Sequence, residues 1–118
     1  MSIANHEVVE QALGIRLTSQ YKVFLDTQGD YEYNGMEVYG YTPAYKDVEK
    51  IPCVIGATRL YRDSYNIAPE EIVISHTGYE DVLVILNNIS GEVFEVSMSN
   101  RQKVADTFNE WLANLRGD

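Results

Sequence analysis

The run Val82-Leu83-Val84-Ile85-Leu86 is apolar at all five positions. A strand with one wet face alternates apolar and polar residues, so an unbroken apolar run of this length predicts a central strand that is covered on both faces. Residues 72–75 precede this run as a second predicted strand. Residues 94–98 follow it as a third, in which apolar and polar positions alternate. The middle of the chain therefore predicts a sheet.

A β-hairpin is predicted ahead of these strands. Tyr31-Glu32-Tyr33 and Met36-Glu37-Val38-Tyr39 flank the dipeptide Asn34-Gly35. Asn-Gly adopts positive φ at both central positions of a two-residue turn with little strain, which makes it a strong local hairpin signal. The tight turn is therefore expected at Asn34-Gly35.

Three segments outside these strands have helical spacing. The first ends at Gly14, and the second begins at a Thr18 cap and stops at Gly29, so that the two form a helical hairpin. Pro52 suits the first turn of the third helix, because a proline at that position loses no intrahelical hydrogen bond. The apolar stripe of this third helix is wide, and Leu60 is expected to lie on it.

The last helix is predicted from a capping box. Ser99 followed by Gln102 matches the pattern in which a hydroxyl side chain accepts from a backbone N–H of the first turn. Beyond this cap, apolar residues recur at helical spacing and form one stripe, which consists of Val104, Phe108, Trp111, Leu112 and Leu115. The pattern predicts an amphipathic C-terminal helix that packs on the sheet.

The order helices, strands, helix, strands, helix predicts an α+β fold with a twisted, mostly antiparallel sheet. A chain of 118 residues is the usual size of one domain, so residues 1–118 are expected to fold as a single unit. In this fold the N-terminal helical hairpin lies over the core.

The charge balance restricts the partners. The chain has 18 acidic and 9 basic residues, which gives a net charge of −9. Nucleic acids and the cytoplasmic membrane surface are both anionic, so the chain is expected to bind neither. A basic protein is the charge-complementary partner, although an acidic surface also serves solubility alone. No signal peptide or apolar run of ~20 residues is visible, which predicts a cytoplasmic location.

Candidate catalytic residues are few. Cys53 is the single cysteine and lies in an apolar stretch, as is typical of a small core residue. His76 stands near Glu80 and Asp81, a set that suits a general-base pair or a partial metal site. No HxH or HxxxH pattern, phosphate-binding glycine loop or GxSxG elbow accompanies it. We therefore expect no catalytic residue, no metal and no cofactor.

Tyrosine is the more informative residue type. Six of the nine tyrosines fall between Tyr21 and Tyr45, where acidic residues alternate with them. A tyrosine offers a large contact area and a hydroxyl, and it is enriched in protein interfaces, although about half of the rings on a two-faced strand should enter the core. The predicted partner surface has two clusters, whose adjacency depends on the strand order: Asp30, Tyr31, Glu32, Glu37 and Tyr39 form the first, and Tyr79, Glu80 and Asp81 form the second.

The order of motifs resembles the SUKH superfamily, which is named in part for yeast regulators of cell-wall glucan synthesis. The opening residues that carry the resemblance are Glu10, Leu13-Gly14, Leu17, Tyr21, Phe24-Leu25 and Gly29. Thr18 departs from the family's proline, and both residues can begin a helix. Later motifs match in the same order: Glu37-Val38-Tyr39-Gly40, Thr58-Arg59-Leu60-Tyr61-Arg62, Ile67-Ala68-Pro69, Ile72-Val73-Ile74, Gly78-Tyr79-Glu80-Asp81, Gly91-Glu92-Val93-Phe94, Phe108 and Leu112.

The resemblance implies a non-enzymatic binding domain of α+β fold with no catalytic residues to carry over. Many bacterial members are immunity proteins, which bind and neutralise a cognate polymorphic toxin, often a nuclease. The expected partner is therefore a basic toxin domain. Two alternatives remain open at this point: a regulatory or scaffold domain related to the cell-wall regulators, and a small hydrolase that uses His76 with Glu80 or Asp81.

Overall fold

Six strands form one antiparallel sheet in the computed structural model, which describes residues 3–45, 47, 49, 53–79 and 81–117. Their order across the sheet is their order along the chain. The strands are β1 (Tyr31–Tyr33), β2 (Met36–Val38), β3 (Glu71–His76), β4 (Leu83–Asn87), β5 (Val93–Val96) and β6 (Arg101–Ala105). The predicted α+β fold with an antiparallel sheet is confirmed.

Four of the five residues of the apolar run lie at the centre of this sheet in β4, and Val82 lies before the strand and is half-buried. Leu83, Val84, Ile85 and Leu86 are all fully buried, and β4 pairs with β3 on one side and β5 on the other. Successive side chains of a strand point to opposite faces, so burial of all four means that both faces are covered. The prediction of a doubly covered central strand is confirmed.

Among the described residues four helices accompany the sheet, and the predicted N-terminal pair is present. They are α1 (Asn5–Leu13), α2 (Ser19–Thr27), α3 (Val54–Tyr65) and α4 (Phe108–Arg116). Gly14 ends α1 in the left-handed conformation, and the Thr18 hydroxyl caps α2 by accepting from the Tyr21 N–H. Pro52 lies outside the described residues. None of the helices in the described part of the chain has the length and apolar character of a membrane span.

The last helix begins later than its sequence pattern predicts. Residues 101–105 form β6 against β5, so the predicted cap at Ser99 is wrong and Val104 belongs to a strand. The helix starts at Phe108, where the Thr107 hydroxyl accepts from the Glu110 N–H at 3.1 Å. Thr107 and Glu110 repeat the spacing of Ser99 and Gln102, and pairing with β5 decides which of the two patterns caps a helix.

The predicted apolar stripe of α4 docks on α2. Phe108, Trp111 and Leu112 are buried. The Phe108 ring makes edge-to-face contacts with the rings of Tyr21 and Phe24, at centroid distances of 5.1 Å and 5.2 Å. Such edge-to-face contacts add to the free energy gained by burial alone. The two helices therefore share one aromatic cluster.

Helix α3 covers part of the edge of β3 that β2 leaves open. The Thr58 hydroxyl accepts from the Val73 N–H at 3.0 Å, and the Arg62 guanidinium donates to the Glu71 carbonyl at 3.4 Å. Further along the same edge β2 pairs with β3, where Val38 is opposite Ser75. This is the one register pair between the hairpin of β1 and β2 and the rest of the sheet in the described residues.

The predicted apolar stripe of α3 is wrong at Leu60, which is 60% exposed.

Substitution of the two candidate caps tests where α4 begins. Thr107→Ala removes the acceptor for the Glu110 N–H and should lower the free energy of unfolding by about 1 kcal/mol. Ser99→Ala is the matched control, because Ser99 is exposed and lies outside any helix, and it should change stability by less than about 0.5 kcal/mol. Urea unfolding measures both. The opposite ranking would contradict the observed boundary.

Candidate partner-binding surface

Two carboxylates of the first predicted cluster lie opposite each other on the hairpin. Glu32 pairs with Glu37 across β1 and β2, and both are exposed. The turn residues Asn34 and Gly35 have φ values of 51° and 84°, as a two-residue hairpin of this type requires. Like charges directly opposite on adjacent strands repel each other. In the described part of the structure neither carboxylate has an ion-pair partner. The hairpin therefore presents an uncompensated double negative charge.

Strand alternation separates the tyrosine of this cluster from the two glutamates. Tyr31 is opposite Val38, one residue away from the Glu32–Glu37 pair, so its ring points to the other face of the hairpin. The ring is half-buried against the core. The glutamates and Tyr31 of the first cluster therefore lie on opposite faces of the hairpin.

Tyr39 is not a surface residue. It is 5% exposed, its carbonyl accepts from the Tyr21 hydroxyl at 2.6 Å, and its N–H donates to the Ile74 carbonyl at 2.7 Å. Burial, followed by the proximity of Tyr61 and Glu37, raises the pKa of Tyr39 to about 12. The expectation that Tyr39 contributes to an exposed partner surface is therefore wrong.

Asp30 lies directly before β1, at the start of the hairpin. It is exposed, and its carboxylate accepts from the Tyr45 hydroxyl at 2.7 Å. Burial of Tyr45, followed by this hydrogen bond, raises the pKa of the Tyr45 hydroxyl well above its ordinary value. Asp30 thus remains on the surface, with one of its oxygens engaged inside the chain.

The second cluster occupies the turn between β3 and β4. Tyr79 is 78% exposed and Asp81 is also exposed, while Glu80 lies outside the described residues. Within the turn, the Gly78 N–H donates to His76 Nδ1 at 2.9 Å, the Tyr79 N–H to the Thr77 hydroxyl at 3.2 Å and the Val82 N–H to the Tyr79 carbonyl at 3.0 Å. The Thr77 N–H and hydroxyl both donate to the Val82 carbonyl. His76 therefore serves as an acceptor within this turn. Among the hydrogen bonds of the described residues, none joins His76 to Asp81.

The strand order places the hairpin beside the β3–β4 turn. A groove of about 400 Å³ is lined by Met36 of β2, by Thr77 and Tyr79 of the turn, by Val82, and by Glu95 of β5. The hairpin and the β3–β4 turn border this groove. Met36 and Glu95 were missed from the sequence. Alternation places Glu95 on the face opposite Val96, but only the register shows which residues share that face.

The described residues offer little for metal or thiol chemistry. In residues 3–45, 47, 49, 53–79 and 81–117, no group of three or more His, Cys, Asp or Glu side chains could hold a metal ion. Cys53 is fully buried, and burial is the main cause that raises the pKa of its thiol. A thiol in such surroundings stays protonated and is a poor nucleophile.

The most elaborate charged cluster of the described residues is structural. Glu71 is 2% exposed, and Arg101 contacts both of its carboxylate oxygens, at 2.6 Å and 2.9 Å. The Ala68 N–H and the Asn87 amide also donate to it. Burial opposes ionisation, but these hydrogen bonds and the Arg101 charge outweigh it and hold the pKa of Glu71 below its usual range. The cluster ties β3 to β6 and leaves no open position for a ligand.

Nearly the whole chain matches one known family. The family SUKH_5, described as SMI1-KNR4 cell-wall, matches residues 2–115. No curated protein matches the chain.

The Glu71–Arg101 pair predicts a specific acid sensitivity. Arg101→Met leaves a buried carboxylate without its cation and should lower the free energy of unfolding by roughly 2–3 kcal/mol at neutral pH. Because the folded-state pKa of Glu71 is lowered, the pair stabilises the fold above the ordinary value of 4.5 and loses this effect as the pH falls through the folded-state pKa.

Urea unfolding along an acid series measures this dependence. Lys103→Met is the control, because Lys103 lies on the same strand but pairs with carboxylates that are far more exposed than that of Glu71, and it should change little. Equal losses in the two variants would contradict the special role of the buried pair.

Proposed function

Since the chain belongs to the SUKH_5 family, described as SMI1-KNR4 cell-wall, we propose that it is a non-enzymatic immunity protein that binds and neutralises a cognate toxin. SUKH proteins are commonly immunity proteins, which act by binding. A chain with this role works in the cytoplasm of the bacterial cell that needs protection. The observation that carries the proposal is the exposed Glu32–Glu37 pair on the hairpin.

The energetics of that pair favour a role in recognition. Opposed like charges destabilise a strand pair, and the repulsion disappears when a cation is placed between them. The fold gains nothing from two unpaired carboxylates at this position. A basic partner would gain from them, because its cation meets a site that is already negative. The hairpin is therefore the best candidate for the first contact with a basic protein.

The proposed partner is a basic toxin domain such as a nuclease. Nucleases bind phosphates through Lys and Arg, so their active-site surfaces are positively charged. An acidic surface competes for those cations, and the net charge of −9 speeds the encounter at low salt. The exposed ring of Tyr79 supplies contact area beside the charged hairpin.

The family's description refers to the cell wall, which favours one alternative: a regulatory or scaffold domain. Such a domain would bind a component of the envelope machinery through the same surface. The two roles differ in the partner that is bound, and a growth assay distinguishes them. The test places the reading frame encoded directly upstream under an inducible promoter and measures growth with and without this chain. Protection by this chain supports the immunity role, and undiminished killing contradicts it.

Charge reversal tests the surface. In the complex with the toxin, Glu32→Lys together with Glu37→Lys should slow association by about tenfold and weaken its salt dependence, while dissociation changes less. Glu7→Lys together with Asp63→Lys is the matched control, because both residues are exposed on helices and the net charge changes equally. Stopped-flow mixing at several salt concentrations measures the rates. If both double variants slow association to the same extent, only the net charge matters and the hairpin is not the docking site.

A further inference from the structure

The groove beside the hairpin contains a carboxylate in unusual surroundings. Glu95 lies on β5, where its register partners are Val84 on β4 and Gln102 on β6. Its side chain is half-buried, and Val84 beside it is fully buried. Within the described residues Glu95 has neither an ion pair nor a side-chain hydrogen bond, whereas Glu71 on β3 has four donors. A partly desolvated carboxylate without a cation is unfavourable for the fold.

The rest of the groove is shaped for a long side chain. Met36 and Val82 line it with apolar atoms, Thr77 contributes a hydroxyl, and the exposed ring of Tyr79 stands at its rim. Lys and Arg side chains combine an apolar stem with a charged head, and they bury the stem when a suitable surface is available. A cation also binds favourably over an aromatic face.

A second, smaller cavity adjoins the first. It has a volume of about 110 Å³ and shares Val82 and Glu95 with the groove, and its other lining residues are Ser97, Asn100 and Gln102. These side chains carry hydroxyl and amide oxygens, which accept hydrogen bonds. A guanidinium has five N–H donors in one plane, so it can use the carboxylate and these neutral acceptors together, whereas an ammonium has three.

We propose that this groove receives an arginine side chain of the partner protein. The stem packs between Met36 and Val82, the guanidinium pairs with Glu95, and the Tyr79 ring covers it from the rim. The inference rests on the proposed function, because it identifies which group of a basic partner the surface recognises. It also assigns separate tasks: the hairpin carboxylates attract the partner, and Glu95 holds one of its side chains.

The first experiment uses three blocked peptides, Gly-Arg-Gly, Gly-Lys-Gly and Gly-citrulline-Gly, in titrations followed by amide NMR shifts. The arginine peptide should shift the amides of Thr77, Tyr79, Val82 and Glu95, the lysine peptide should bind more weakly, and the uncharged citrulline peptide should not bind. Glu95→Gln should weaken arginine binding by roughly tenfold or more, because it removes a charged hydrogen-bond acceptor and keeps the shape.

The matched control is Glu7→Gln, which removes the same charge from an exposed position on α1. It should leave arginine binding unchanged. Equal weakening by the two variants, shifts confined to other parts of the chain, or binding of citrulline as strong as that of arginine would each overturn the proposal.

The second experiment separates this inference from the function. In the complex with the toxin, Glu95→Gln should speed dissociation by roughly tenfold, while Glu7→Gln leaves it unchanged. A chain that protects cells and keeps its dissociation rate in the Glu95→Gln variant has the proposed function without this binding site. Arginine binding in the groove of a chain that fails to protect overturns the immunity role and leaves the binding site intact.

Discussion

The ionised carboxylate of Glu71, 2% exposed, has to keep its hydrogen-bond donors for the fold to be stable. The four donors come from three residues: Ala68 in the turn before β3, Asn87 at the end of β4, and Arg101 on β6, which uses both branches of its guanidinium. The Glu71 carbonyl in turn accepts from Arg62 of α3. One residue thus connects elements that are far apart along the chain. If any of these elements shifted, the buried carboxylate of Glu71 would lose hydrogen-bond donors in surroundings where water cannot replace them.

The acidic residues fall into two groups, those that stabilise the fold and those that have no cation within the described structure. Glu71 accepts hydrogen bonds from four donors and stabilises the fold. Glu32, Glu37 and Glu95 have no cation in the described structure. Glu95 lines the groove, whereas Glu32 and Glu37 lie on the neighbouring hairpin, on the face opposite Met36. Unpaired carboxylates weaken a fold when they are close together or desolvated. Their lack of cations is therefore better explained by a partner than by stability.

Local chemistry made several elements predictable from the sequence. Asn34-Gly35 specifies its own turn, Gly14 and Thr18 specify their own helix ends, and the apolar run of β4 needs no distant information. The start of α4 could not be predicted in the same way. Ser99 and Thr107 both satisfy the capping pattern, and the choice between them depends on hydrogen bonds to β5. A local pattern cannot contain that information.

The candidate site was predictable only in part, for a similar reason. Charge and tyrosine density indicated the hairpin and the β3–β4 turn, and both border the groove. Tyr39 and Tyr79 look alike in sequence, yet the fold buries Tyr39, whose carbonyl accepts from the Tyr21 hydroxyl of α2, and leaves Tyr79 exposed. Glu95 needed the register of three strands. Burial and shared faces are properties of the tertiary structure, and an alternating pattern specifies only which residues lie on opposite faces.

The attachment of the hairpin has a consequence for how such a protein can evolve. β1 and β2 join the sheet through the register pair Val38–Ser75. This link is supported by the Ser75 hydroxyl, which donates to the Glu37 carbonyl, and by the Tyr39 N–H, which donates to the Ile74 carbonyl. The exposed side chains of this hairpin contribute few contacts to the core, so most substitutions there cost little folding free energy. The fold and the recognition surface can therefore accumulate mutations independently. A chain built in this way can follow a rapidly diversifying partner, one exposed residue at a time, without losing its native state.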